Sequence, residues 1–125
     1  MSLLLDTHVV LWWLTDAHEL DDEVKRQLDQ EPAVYLSPAT VWEIAIKQSV
    51  GKLAEPENLP EIVADAGFRH LPITDEHAVV AGRLPLLHRD PFDRMLIAQA
   101  RCEGLTLVTR DPLIHRYDNV ALLHV

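Results

Sequence analysis

Two rhythms of apolar residues alternate along the chain: short continuous runs bounded by turn residues, and longer stretches in which apolar positions recur with helical spacing. The pattern predicts strands over 2–5, 33–36, 68–72, 105–109 and 120–124. It predicts helices over 7–14, 21–30, 38–50, 60–66, 75–82 and 91–103, with a short helix near 112–116. Strands that alternate with helices argue for a mainly parallel α/β sheet. The punctuation agrees. Ser37-Pro38, Asn58-Leu59-Pro60, Asp90-Pro91 and Asp111-Pro112 each put a capping side chain ahead of a proline near the first helical position. Gly51, Gly67 and Gly104 stand where helices should stop.

At 125 residues and 48% apolar content, the chain suits one domain over 1–125 with a sheet covered on both faces. It contains no repeat, linker or low-complexity segment. The single cysteine, Cys102, precludes an internal disulfide and reads as a small buried residue of the last long helix. No basic leader precedes the first strand, and no apolar run approaches the ~18 residues of a membrane span, so a soluble cytoplasmic protein is expected. Val9-Val10-Leu11-Trp12-Trp13-Leu14 and Trp42 are core in the plainest reading. They exceed what one small core needs, however, and also suit a dimer or partner surface.

The net charge of −9 has the wrong sign for a protein that holds nucleic acid by general phosphate attraction. That argument weakens if acids gather around a metal or if a basic partner supplies part of the surface.

Four acids stand at positions where a parallel sheet would gather them. Asp6 closes the run Leu3-Leu4-Leu5, and Asp111 follows Leu107-Val108-Thr109-Arg110, so both lie at the carboxyl edge, where open α/β sheets bind ligands. Glu43 shares a narrow polar stripe with Thr40 and Lys47 on an otherwise apolar helix; it either pairs with Lys47 in solvent or lines a cleft. Asp90 precedes Pro91 and is placed to cap, which leaves Asp93, one turn on, without a local duty. Asp6 and Asp111 are also good caps. Oxygen ligands with no cysteine or histidine at ligand spacing suit Mg²⁺, with Mn²⁺ as the alternative, rather than Zn²⁺. Thr7 and Thr109 neighbour these acids and either bond to them or cap. Arg89, Arg94, Arg110 and Lys47 either grip phosphate or form surface ion pairs. The seven histidines (His8, His18, His70, His77, His88, His115 and His124) show no metal-ligand pairing and no adjacent nucleophile, so each reads as a core or surface residue.

Three segments in order, Leu4-Leu5-Asp6-Thr7-His8, Ser37-Pro38-Ala39-Thr40-Val41-Trp42-Glu43-Ile44, and His88-Arg89-Asp90-Pro91-Phe92-Asp93-Arg94-Met95-Leu96-Ile97-Ala98-Gln99-Ala100 followed by Leu107-Val108-Thr109-Arg110-Asp111, resemble PIN-domain proteins. The likeness is specifically to the VapC-type toxins of bacterial toxin–antitoxin pairs. It implies a three-layer α/β/α sandwich with a short, mainly parallel sheet. It also implies Mg²⁺-dependent cleavage of RNA, an acidic quartet at Asp6, Glu43, Asp93 and Asp111, and a VapB-like antitoxin partner. In that reading Asp6 and Asp93 hold the metal, Glu43 orients or deprotonates the attacking water, and Asp111 completes the shell or holds a second ion. A homodimer is expected from the apolar excess.

Two other readings compete. A Mg²⁺-dependent phosphatase-like or phospho-acceptor enzyme also gathers acids at strand ends. However, Asp6-Thr7-His8 has no acid two residues on and no apolar strand ends in Lys. A non-catalytic PIN-like binding module would use the acids only as caps and would show no metal dependence.

Overall fold

A computed structural model describes residues 2–54 and 57–125. The strands are β1 (Leu3–Leu5), β2 (Val34–Leu36), β3 (Arg69–His70), β4 (Thr106–Thr109) and β5 (Ala121–His124). The helices are α1 (Thr7–Leu14), α2 (Asp22–Gln30), α3 (Pro38–Ser49), α4 (Leu59–Asp65), α5 (Asp75–Arg83) and α6 (Pro91–Glu103), and a 3₁₀ turn spans Ile114–Arg116.

All five strands run parallel in the order β3-β2-β1-β4-β5. Leu4 pairs with Tyr35 on one side and with Leu107 on the other. Because side chains alternate along a strand, adjacent residues feed opposite cores. Leu3, Leu5 and Val108 pack with Val9, Leu28, Ile44 and Val63 under α1–α4. Leu4 and Leu107 pack with Leu96, Ile97 and Ala100 of α6 and with Leu84 after α5. The result is the three-layer α/β/α sandwich. The chain walks outward from β1 through β2 to β3, then returns to place β4 on the other flank of β1. The carboxyl ends of β1 and β4 therefore form the switch point of the sheet, where a crevice opens.

Most boundaries follow local chemistry. Asp6, Asp21, Ser37, Thr74 and Asp90 each accept a backbone amide of the helix that follows. Gly104 ends α6 at φ 67°, a left-handed conformation that a β-carbon disfavours. Four expectations are corrected. Asn58 makes no side-chain cap; at φ −121°, ψ 48° it lacks the extended backbone that swings a cap over the first amides. The strand expected over 68–72 shrinks to an exposed edge pair: the last ladder bond runs from the Leu71 amide to the Leu36 carbonyl, after which β2 gives way to Ser37 and α3 and offers no further partner. The helix near 112–116 is a single 3₁₀ turn. Cys102 is only partly buried, on the side of α6 that faces Glu76.

Among the described residues no helix is long and apolar enough to cross a membrane. Of the apolar excess, Val9 and Val10 are core, while Trp12 and Trp13 are half-buried against their own chain. Trp13 packs against Phe68 with the rings tilted and their centroids 4.7 Å apart, and donates from its indole to Asp29 at 3.1 Å. Trp42 is 63% exposed and meets Phe92 edge-on at 5.2 Å.

Candidate metal centre

Asp6 sits on the switch point itself. Its backbone amide continues the sheet by bonding the Val108 carbonyl at 3.1 Å, while its side chain turns to open α1. Oδ1 accepts the Val9 amide at 2.9 Å and Oδ2 accepts the Thr109 hydroxyl. The residue is 3% exposed, so cap and site reading are both realised in one side chain. Burial raises its pKa above the usual carboxylate value; the bonds from Thr109 and Val9 oppose that rise, and the charge of Asp111 adds to it.

Glu43 reaches the same crevice from α3. The Thr7 hydroxyl donates to Oε1 at 2.7 Å, and Lys47 pairs with Oε2 at 3.3 Å. The i, i+4 pair exists, yet Glu43 is buried and faces inward, so the stripe lines a cleft. At the start of α6, Asp90 caps by accepting the amides of Phe92 at 2.8 Å and Asp93 at 3.4 Å. Asp93 is thereby free to turn into the crevice. Burial first, then the charges of Asp90, Asp6 and Glu43, push its pKa up from 3.8 to about 7, against the opposing influence of His88. Asp111, past β4, accepts the Leu113 amide on Oδ1 at 2.9 Å and approaches His88 with Oδ2. Asp111 thus combines a turn bond with a place in the cluster.

The fold brings together all four acids selected from the sequence, together with one residue that sequence reasoning placed elsewhere. His88 Nε2 lies 2.9 Å from Asp93 Oδ2 and 2.9 Å from Asp111 Oδ2. Of the carboxylate oxygens of Asp6, Glu43, Asp93 and Asp111, only Asp93 Oδ1 has no partner among the described residues. Crowded, mutually repelling carboxylates, buried at Asp6 and Glu43 and half-buried at Asp93 and Asp111, fit a divalent cation, which removes the repulsion. His88, Asp93 and Asp111 lie close enough to share one. A cavity of about 280 Å³, lined by Asp6, His8, Trp12, Arg110, Asp111 and Pro112, opens onto this cluster.

The PIN domain profile matches residues 3–120. The chain belongs to the PIN-domain family. It is 28% identical over 118 residues to Ribonuclease VapC22 of Mycobacterium tuberculosis, a match covering 88% of this chain and 87% of that protein. The fold superimposes on a chain of the VapBC2 complex of Rickettsia felis, bound to a DNA fragment from its promoter, with a TM-score of 0.77 at 17% identity; the match covers 99% of this chain and 98% of the other. FitAcB of Neisseria gonorrhoeae superimposes with a TM-score of 0.70 at 25% identity over 98% of this chain and 96% of that one.

Around the acids of this PIN domain the basic residues divide. Arg94 neither grips phosphate nor forms a surface ion pair. It is buried, and its guanidinium donates to the carbonyls of Pro85 (3.0 Å), His88 (3.2 Å), Ala81 (2.8 Å) and Leu84 (2.9 Å). Arg110 lies over the Trp12 ring at 4.6 Å and donates to the Glu19 and Val125 carbonyls. Arg89 is exposed. Lys47 alone of the four contacts an acid of the cluster. Among the histidines, His77 is the buried structural residue expected of it. Its Nδ1 accepts the Thr74 amide at 3.0 Å and its Nε2 faces Glu103 at 3.2 Å.

Proposed function

We propose that this PIN domain is a VapC-type endoribonuclease, the toxin of a toxin–antitoxin pair acting in the cytoplasm. Asp6, Glu43, Asp93 and Asp111 form its catalytic and metal-binding set, with Mg²⁺ as the resident ion and Mn²⁺ as a competent substitute. One observation carries this reading. Four acids from four separate elements converge on the sheet's switch point, and Asp93, raised to about 7, keeps one oxygen free of any partner among the described residues. Acids that served only as caps would have no reason to repel one another across the fold. The relative named a ribonuclease and the neighbours solved as toxin–antitoxin complexes support the same reading.

Asp6 and Asp93 would hold the cation, with Asp111 completing the set. A divalent ion there supplies a water of lowered pKa and neutralises charge on the reacting phosphate. Glu43, fixed by Thr7 and Lys47, takes the proton of the attacking water. The water oxygen bonds to phosphorus, the bond from phosphorus to the leaving ribose oxygen breaks, and that oxygen takes a proton from solvent as it departs. The cavity beside Asp6 and Asp111 is where a single strand would enter. With a net charge of −9, the chain invites a partner whose contacting segment is basic, and a VapB-like antitoxin is the partner this reading assigns. A homodimer would use the face of the exposed Trp42 and its half-buried neighbour Phe92 rather than Trp12 and Trp13, which are half-buried against their own chain.

Growth of a bacterial host tests the assignment. Expression of the chain alone should arrest growth, and co-expression of the neighbouring reading frame should relieve the arrest. Asp6→Asn and Asp93→Asn should be harmless while still folded. Equal arrest by the folded variants would overturn the catalytic reading.

A further inference from the structure

His88 touches two of the four acids, and its other ring nitrogen shows in what capacity. Nδ1 lies 3.2 Å from the Asp90 backbone nitrogen, whose N–H donates to it. A ring nitrogen that accepts presents its lone pair and carries no hydrogen, so the neutral imidazole bears its proton on Nε2. That N–H points at Asp93 Oδ2 and Asp111 Oδ2, each 2.9 Å away. A nitrogen bearing hydrogen has no lone pair to give a metal. Ligation through Nε2 would move the proton to Nδ1, where it would face the Asp90 N–H, donor against donor. Histidines that bind metals show the reverse arrangement, with the distal N–H donated to a carbonyl or carboxylate.

The backbone that carries the ring is also held in place. The His88 amide donates to the Tyr117 hydroxyl at 2.9 Å, and its carbonyl accepts from Arg94 at 3.2 Å. Elsewhere in the same chain His77 repeats the pattern, with a backbone amide on Nδ1 and a carboxylate facing Nε2.

We propose that His88 is a positioning residue: its Nε2–H draws the Asp93 and Asp111 carboxylates together and orients them for the cation without itself being a ligand. The proposal rests on the assignment of those acids to the metal site. Asp90 serves the arrangement twice, its side chain capping α6 so that Asp93 faces inward and its amide fixing the imidazole tautomer.

Mn²⁺ binding to the purified full-length chain tests this, with affinity and the nitrogen hyperfine signature both read by electron paramagnetic resonance. His88→Ala should weaken Mn²⁺ binding by about tenfold or more, the range typical for loss of a group that orients a ligand. His88→Gln, whose side-chain amide donates from nearly the same place, should stay within about threefold of wild type. The wild-type Mn²⁺ spectrum should carry no nitrogen coupling that His88→Gln removes. Such a coupling would make His88 a ligand and overturn the proposal, as would wild-type affinity in His88→Ala. Should His88→Ala fail to fold by circular dichroism, the His88→Gln affinity and the nitrogen signature decide. Asp93→Asn separates the two levels. Loss of Mn²⁺ binding in this variant upholds the metal site whatever His88 does, whereas unchanged binding brings down the site and the clamp together.

Discussion

Asp93 is the acid whose ionised form the fold resists most. Its pKa, raised from 3.8 to about 7, means that the native metal-free protein holds this proton more tightly than the unfolded chain does. The resulting stabilisation is therefore full below about 3.8 and is lost as pH rises through about 7. Above that the ionised group is a standing penalty on the order of a few kcal/mol. Asp93→Asn carries no such proton. In chelator, its melting temperature relative to wild type should rise steadily between roughly pH 4 and pH 8; a difference that stays constant over that window would show that Asp93 is not destabilised in the fold. At this scale the acids were legible because Asp6, Asp93 and Asp111 stand at a strand end or a helix start and Glu43 lies on a polar stripe of an otherwise apolar helix, features that sequence pattern locates. His88 was not, since it has no histidine partner at ligand spacing. What gives this lone histidine its role is a backbone amide at Asp90 and two acids, five and 23 residues away, that only the fold assembles.

Arg94 decides how α6 meets α5. Helix ends leave carbonyls unpaired, and the guanidinium of Arg94 takes those of Ala81 and Leu84 at the end of α5 as well as Pro85 and His88 in the loop beyond. Arg94→Ala should destabilise the protein by about 3 kcal/mol or more, because several buried acceptors lose a charged donor at once. Arg94→Lys should not restore it, since an ammonium cannot span the acceptors that the planar fork reaches. Urea unfolding checks both; a loss below about 0.5 kcal/mol together with weakened RNA binding would return Arg94 to the phosphate-gripping role that its sequence position also allowed. The same limit explains the element boundaries that pattern missed. Phe68 and Leu71 are buried and make 68–72 look like a strand, but the segment lies at the sheet edge and its ladder ends where β2 turns into α3 at Ser37. Period reports burial, whereas strand length depends on partners.

The order of strands and helices was visible in the alternation of periods, and with it the parallel sheet; the return of the chain from β3 to β4, which creates the crevice, was not, because strand order depends on contacts between distant segments. The net charge of −9 likewise describes the whole surface and says nothing of the cleft. Trp42 was grouped with Trp12 and Trp13 as one apolar excess, and only packing separates them: two are absorbed and one is left 63% exposed beside Phe92. If that face joins two copies, Trp42→Glu should convert a dimer to a monomer in light scattering with the circular dichroism spectrum unchanged, while a monomeric wild type would exclude the dimer. Metal-dependent cutting of RNA by the converged acids is the central claim. The direct measurement is cleavage of a single-stranded RNA by the purified chain, with Mg²⁺, with Mn²⁺ and with EDTA, alongside Asp6→Asn, Glu43→Gln, Asp93→Asn and Asp111→Asn. Cleavage that needs the metal and falls by about a hundredfold or more in each folded variant is the predicted result. Cleavage that survives EDTA, or a folded Asp93→Asn that cuts as fast as wild type, would contradict it.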